Sequence, residues 1–237
     1  MMMGTPLSLG ETIGARPYPG RACLLATVRG ERVIVYFLTG RSEASRQRNL
    51  NAEAGSVFVV DADSSSHDPL RHYRAIAGAD DWIVVGNGSH VDKVLTSLVT
   101  GRGPFEIMST MSAEPDPPIY TPRIWVAVQR GQPQSASIFG HVSCRPDGGT
   151  TRCIWSVDEL ADDVAVLMTT YSGTVKDVKV TEGPTYVSFH ADSATDLIQL
   201  VWNCLDPQLR VGAVLVFPDA VETISIVGPL ISGDLSG

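Results

Sequence analysis

The order of the apolar runs constrains this chain more than any other feature. Short β-branched stretches recur along it, few stretches carry a helical period, and the two kinds do not alternate as β-α-β. Runs at residues 22–28 and 32–38 flank Arg29-Gly30-Glu31, which reads as a hairpin turn. Runs at 56–60 and 82–85 are short and apolar, and read as buried strands. Further strands are expected at 124–129, 135–142, 153–157, 164–170, 211–217 and 223–227. Ser89 stands where it can cap a helix over 90–100, with Asp92 completing a capping box and Val91, Val94, Leu95 and Leu98 on one face. Ser193 is placed to cap a second helix to Cys204, burying Leu197, Leu200, Val201 and Cys204, and 105–111 reads as a short third. A doubly wound parallel sheet needs regular alternation, so the expectation is antiparallel sheets covered by helices. The polar stretch 61–69 reads as a loop, and the small, polar segments 1–20 and 231–237 are expected to fray.

Composition narrows the function. The chain has 237 residues, 43% of them hydrophobic and 19% charged, enough for one large core. A net charge of −8 argues against nucleic acid, which requires a broad basic face. No apolar run approaches the roughly 18 residues of a membrane span, and the start lacks the charged head and apolar run of a secretory signal. The expectation is a cytoplasmic protein with no membrane partner. Cys23, Cys144, Cys153 and Cys204 form no CxxC pair, and no His/Cys set has zinc spacing, so no metal is expected and the thiols read as free.

Three motifs carry chemistry. Arg41, Arg46 and Arg48 crowd into eight residues with Ser42 and Ser45, directly after a strand. Forked guanidinium groups and hydroxyls suit a phosphate, although a solvated loop explains most charge runs. Glu114, Asp116, Tyr120 and Arg123 share a segment with Pro115, Pro117, Pro118 and Pro122, which stiffen it. That set suits acid–base chemistry; the plainer alternative is a rigid linker. Gly86-Asn87-Gly88-Ser89 follows a strand and opens a helix, but Val91 replaces the third glycine of a dinucleotide fingerprint, which excludes that reading. An anion or carbonyl oxygen at the helix start and an ordinary capped helix remain equal alternatives. Cys23 follows Arg21-Ala22 as a processed N-terminal nucleophile would, against the commoner buried strand cysteine. Of the five histidines only His90, at the helix start, stands near these motifs.

Read in order, Tyr18-Pro19-Gly20-Arg21, the block from Tyr36 to Arg46, Gly86 to Asp92, Glu114-Pro115-Asp116 and Tyr120 to Ile124 resemble the archaeal-type IMP cyclohydrolase family. The likeness thins to Thr169-Thr170-Tyr171 and Glu182-Gly183-Pro184. It implies an α+β fold, a four-layer α-β-β-α sandwich of antiparallel sheets like that of N-terminal nucleophile (Ntn) hydrolases, as one domain over 1–237. It also implies a homo-oligomer that needs no cofactor and takes a purine nucleotide. The reaction implied is ring closure of 5-formamidoimidazole-4-carboxamide ribotide (FAICAR) to IMP with loss of water. The chain departs from the family pattern at Ile119, at Gln47-Arg48 and over 178–184, which implies FAICAR or a close analogue as substrate.

That chemistry requires a donor to the developing oxyanion, an acid for the departing oxygen and a base for the nitrogen. The resemblance assigns proton transfer to Glu114, with Tyr120 or Arg123 supporting the oxyanion. It assigns the 5′-phosphate to Arg41 and Arg46 beside Ser42, and the ribose or base to Asn87 and Ser89. Arg21, His90, Asp116 and Tyr171 complete the substrate-binding set. Two other functions compete: an amidohydrolase using a processed Cys23, and a purine-nucleotide-binding protein without catalysis.

Overall fold

A computed structural model describes residues 6–61, 72–220 and 224–227. The chain opens with β1 (Leu7–Ser8) and α1 (Leu9–Gly14), then the hairpin of β2 (Arg21–Val28) and β3 (Glu31–Thr39). One helical turn, α2 (Glu43–Arg46), leads into β4 (Arg48–Glu53), β5 (Ser56–Asp61), β6 (Tyr73–Ala79) and β7 (Trp82–Gly86). Helices α3 (His90–Val99) and α4 (Pro104–Ser109) precede β8 (Arg123–Gln129), β9 (Ser137–Cys144) and β10 (Thr150–Val157). After β11 (Val164–Thr169) come β12 (Tyr171–Gly173), β13 (Val178–Val180), β14 (Thr185–Ser188) and α5 (Ala194–Cys204), and then β15 (Arg210–Val216) and β16 (Ile224–Val227).

The result is an α+β fold with mostly antiparallel sheets. One seven-stranded sheet runs β1-β14-β11-β2-β3-β15-β16, the other β10-β9-β8-β7-β6-β5-β4, and β12 pairs with β13. Among the described strand pairs β1 with β14 is the parallel one, and an isolated parallel bridge joins Thr27 to Asp162.

Side-chain alternation explains the packing. In β2 and β3 both faces are apolar, so both must be covered. Cys23, Leu25, Ile34, Tyr36 and Leu38 join Val59, Ile83, Val85, Ile124 and Val126 in a cluster drawn from both large sheets. The opposite faces of β2 and β3, with Leu24, Val35 and Phe37, pack on Leu9 and Ile13 of α1 and Leu197, Ile198 and Val201 of α5. On the second sheet Val84, Trp125 and Ala127 pack on Val91, Val94, Leu95 and Leu98 of α3 and Ile107 and Met108 of α4.

Most expected elements appear within a residue or two. The β2–β3 turn is Arg29-Gly30, at φ 52° and 76°, which leaves Glu31 in the strand. Ser193 caps α5 by accepting from the Asp196 amide at 3.1 Å. Ser89 does not cap α3: its backbone is helical and its side chain makes no cap bond. Asp92 instead accepts from Arg74 Nε at 2.6 Å. Residues 6–20 do not fray, because Leu9 and Ile13 are buried in the α5 cluster and a Ser8–Glu11 capping box closes the start of α1. The expected loop beyond Asp61 and the tail 231–237 lie outside the described residues. Among the described residues no helix is long and apolar enough to cross a membrane.

Gly140 stands opposite Trp125 in the β8–β9 pair, and a Cβ there would lie 2.1 Å from the fully buried indole. Gly140→Ala should therefore cost about 3 kcal/mol of stability, read as a lowered urea midpoint at unchanged slope.

Candidate active site

Antiparallel pairing gathers several strand ends at one end of the two sheets. Arg21 begins β2 where β3 ends at Thr39 and β11 ends at Thr169. On the facing sheet Arg48 begins β4, Tyr73 begins β6, Arg123 begins β8, and β7 ends at Gly86. Alternation then decides where each side chain points. Arg21 continues the inward row of Cys23 and Leu25, whereas Arg123 continues the outward row of Trp125 and Ala127.

Two guanidinium groups lie at this end, Arg48 buried and Arg21 half-buried. Arg21 lies within electrostatic reach of Tyr18, Tyr36, Tyr73 and Tyr171. Its Nε is fully buried without a hydrogen-bond partner. Arg48 is 3% exposed and donates from Nε to the Ser45 carbonyl at 2.9 Å. Burial and the nearby Arg21 charge both push Arg48 below its ordinary pKa. Among the described residues neither arginine has a carboxylate within ion-pair distance. Arg48, buried, and Arg21, half-buried with its Nε enclosed, lie in mutual range, and neither is ion-paired among the described residues, which fits an anion. Hydroxyls border the same space: Tyr36 and Tyr73 share a hydrogen bond of 2.9 Å, and the Tyr18 ring stacks on Tyr171 at 5.4 Å.

Beside them stands an ion pair. Arg123 Nη1 meets Glu114 Oε2 at 2.7 Å, with the two side chains 14% and 15% exposed. Arg123 Nε also donates to the Ser112 carbonyl at 2.9 Å. Burial raises the Glu114 pKa; Arg123 and Arg21 oppose that rise and Asp116 adds to it. The pair is held by the turn between α4 and β8. There the Thr121 amide donates to Asp116 Oδ1 at 2.7 Å, and the Thr121 hydroxyl also meets the Asp116 carboxylate and the Tyr171 hydroxyl.

Asn87 and His90 clip the same turn to the sheet. Asn87 Nδ2 donates to the Pro122 carbonyl at 2.9 Å, and its Oδ1 accepts from the Ile124 amide at 2.7 Å. His90 Nε2 lies 3.1 Å from the Ile124 carbonyl. Burial, with Arg123 and Lys93 nearby, lowers the His90 pKa to about 3, against the opposing effect of that hydrogen bond. The ring is therefore neutral near pH 7 and donates through Nε2.

The family model for IMP cyclohydrolase-like proteins matches residues 18–222. The chain belongs to that family. No curated protein matches the chain. The matched span runs from Tyr18, just before β2, to beyond β15, and so holds every residue of the site described above.

In this IMP cyclohydrolase-like chain, Arg21, Glu114, Asp116, Arg123 and Tyr171 come together as a connected group. Asn87 and His90 adjoin it, but both spend polar atoms on backbone groups of residues 122–124. Arg41, Ser42 and Arg46 lie on the surface, where Arg46 Nη1 donates to the Arg41 carbonyl at 3.0 Å. The Ser42 and Ser45 hydroxyls close the capping box of α2, which takes up the groups that sequence reasoning offered to a phosphate. Ser89 is exposed without a cap bond, and Tyr120 is 39% exposed at φ 53° on the turn. Cys23 is fully buried inside β2, and burial raises its thiol pKa.

Sequence reasoning counted Arg48 in the arginine cluster but gave the phosphate to Arg41 and Arg46, and it left Tyr18, Tyr36, Tyr73 and Thr121 out of the site. For Arg48 the available signal was its spacing two residues before Leu50, which packs on the inter-sheet cluster. The tyrosines carry no local signal, since an inward-facing tyrosine in a strand reads as core.

His90 makes a test of this geometry. Its folded pKa lies below the unfolded value, so the unfolded chain binds more protons and stability falls as pH drops from about 6.5 toward about 3. His90→Gln retains a donor for the Ile124 carbonyl without the titrating ring. Between pH 7 and pH 4.5 the variant should lose about 2 kcal/mol less stability than the parent in denaturant unfolding. An equal loss would contradict the neutral, enclosed imidazole.

Proposed function

We propose that this protein closes a purine ring, converting FAICAR or a close analogue to the corresponding inosine nucleotide with loss of water. The observation that carries the reading is the ion-paired Glu114, with its pKa raised by burial, near the Arg21 and Arg48 guanidinium groups and within a family match over residues 18–222. In this reading Arg21 and Arg48 hold the 5′-phosphate, a role that Arg41, Ser42 and Arg46 serve less well from the surface. The carboxamide nitrogen attacks the formyl carbon and passes one of its two protons to the formyl oxygen, where Arg123 offsets the charge that builds during the attack. Glu114, kept protonated to higher pH by its enclosure, gives its proton to the departing hydroxyl. The new C=N bond forms as the formamide N–H proton is released.

The three apolar clusters support a four-layer α-β-β-α sandwich of the Ntn-hydrolase kind, built as one domain. Within that arrangement Cys23 has no access to a substrate. A cytoplasmic homo-oligomer is the setting we propose, in keeping with the family's place in purine metabolism.

The test is ring closure of FAICAR by the purified chain, followed by ultraviolet absorbance. Glu114→Gln should lower kcat 10²–10⁴-fold while leaving KM near its parent value. Arg48→Met should raise KM by a factor of about ten or more, as a charged contact to phosphate is removed. The rate should fall as pH rises through the Glu114 pKa, because the protonated carboxyl is the active form. An Arg48→Met variant with parental KM would move the phosphate elsewhere. A Glu114→Gln variant with parental kcat would remove the acid role.

A further inference from the structure

The turn that carries Glu114 and Arg123 contains a hydrogen-bond chain whose polarity can be worked out atom by atom. The Asp116 carboxylate accepts only, and it takes two bonds from Thr121: one from the backbone amide at 2.7 Å and one from the side-chain hydroxyl. A threonine hydroxyl has a single hydrogen, which is thereby committed to Asp116. The same Thr121 oxygen also meets the Tyr171 hydroxyl. With its hydrogen already given away, Thr121 can only accept there, so Tyr171 donates. Each donor in the chain has one destination.

Tyr171 is thereby left without a free hydrogen. Its hydroxyl oxygen can then only accept, within electrostatic reach of Arg21 and with the Tyr18 ring stacked alongside. The ring is held in place: it is 3% exposed, and a Cβ on Gly20, at φ 73°, would lie 2.5 Å from it. The hydroxyl cannot rotate to present a hydrogen without breaking its bond to Thr121.

We propose that Asp116, acting through Thr121, sets Tyr171 as a fixed hydrogen-bond acceptor that selects a substrate bearing a neutral N–H donor, the carboxamide nitrogen that attacks in ring closure. Asp116 and Thr121 are positioning residues; Tyr171 is the group that meets the substrate. The inference rests on the ring-closing reading for the identity of the ligand, whereas the polarity of the chain stands on the protein alone. A ligand with no N–H at that position leaves a buried acceptor unpaired, which costs about 10- to 100-fold in affinity. A ribose hydroxyl offers the same donor chemistry, so the experiment separates the two sources.

The experiment is calorimetric binding of three ribotides to the intact chain. They are the imidazole-4-carboxamide ribotide without its formyl group, the matching 4-methyl ester with an OCH₃ acceptor in place of NH₂, and the 2′-deoxy carboxamide. The parent should bind the carboxamide 10- to 100-fold tighter than the ester and hold the 2′-deoxy compound nearly as well. Thr121→Val preserves shape and the backbone bond to Asp116 but frees the Tyr171 hydrogen, which can then donate to the ester oxygen, and should reduce the preference to under threefold. Thr121→Ser, which keeps the hydroxyl, should restore it. A preference that survives in Thr121→Val overturns the proposal, as does a larger loss with the 2′-deoxy than with the ester compound. A substrate-free measurement stands apart from the ring-closing reading. The Tyr171 hydroxyl proton, observed by NMR on ring-labelled tyrosine, should exchange slowly in the parent and Thr121→Ser and rapidly in Thr121→Val. Equal exchange in the parent and Thr121→Val overturns the hydrogen-bond chain whatever the protein's substrate.

Discussion

The contact between the two large sheets is the constraint from which the rest follows. Their facing rows, Cys23, Leu25, Ile34, Tyr36 and Leu38 against Val59, Ile83, Val85, Ile124 and Val126, form one buried cluster. Because a strand alternates its side chains, fixing the inward row fixes what every strand end presents beyond it. Arg21 is therefore turned toward the space between the sheets, and Arg123 is turned away from it. A one-residue slip of β2 against β3 would send Arg21 toward α5 and bring Ala22 inward. The register that packs the core is thus the register that places the charges.

Polar groups at this end are sorted by how completely they are satisfied. Asn87, His90 and Thr121 are tied to backbone or to neighbours, and together they hold the turn carrying Glu114 and Arg123. Arg21 Nε, by contrast, is enclosed with no partner. An unsatisfied buried guanidinium costs stability in the free protein, and a ligand that satisfies it recovers that cost as binding energy. His90 too is bonded on one side only: its Nε2 holds the turn, and its Nδ1 is buried without a hydrogen-bond partner among the described residues.

How far the sequence discloses this depends on how local each signal is. The strands β2, β3, β8 and β15 are legible because their apolar runs are long and β-branched. β4 is not, because Arg48-Asn49-Leu50-Asn51-Ala52-Glu53 has polar residues on one side and an arginine on the other, and it becomes a strand only by pairing with β5. β6 is similarly obscured by Ala75, Ala77 and Gly78, small residues that take their strand form from β5 and β7. In the site, Glu114 and Arg123 are legible as a pair because eight residues of proline-rich turn bring them together locally. The arginine cluster misleads for a reason visible only in three dimensions. Its serines cap a helical turn, which leaves Arg41 and Arg46 outside, while the strand that begins at Arg48 carries that side chain inward.

The Glu114–Arg123 pair also bears on the kind of chemistry open to the site. A carboxylate paired to arginine in water would stay ionised at every physiological pH and could act only as a base or an electrostatic anchor. Here burial outweighs the arginine, and the Asp116 charge works in the same direction, so the proton is held more tightly than on an exposed glutamate. The arginine does not cancel the acid; it stabilises the carboxylate left behind once the proton is given up. A group whose affinity for a proton is raised by burial, and whose conjugate base has a partner already in place, is matched to a step that expels hydroxide as water. A nucleophilic role would favour the opposite arrangement, a carboxylate with a depressed pKa and an open approach, and Glu114 has neither.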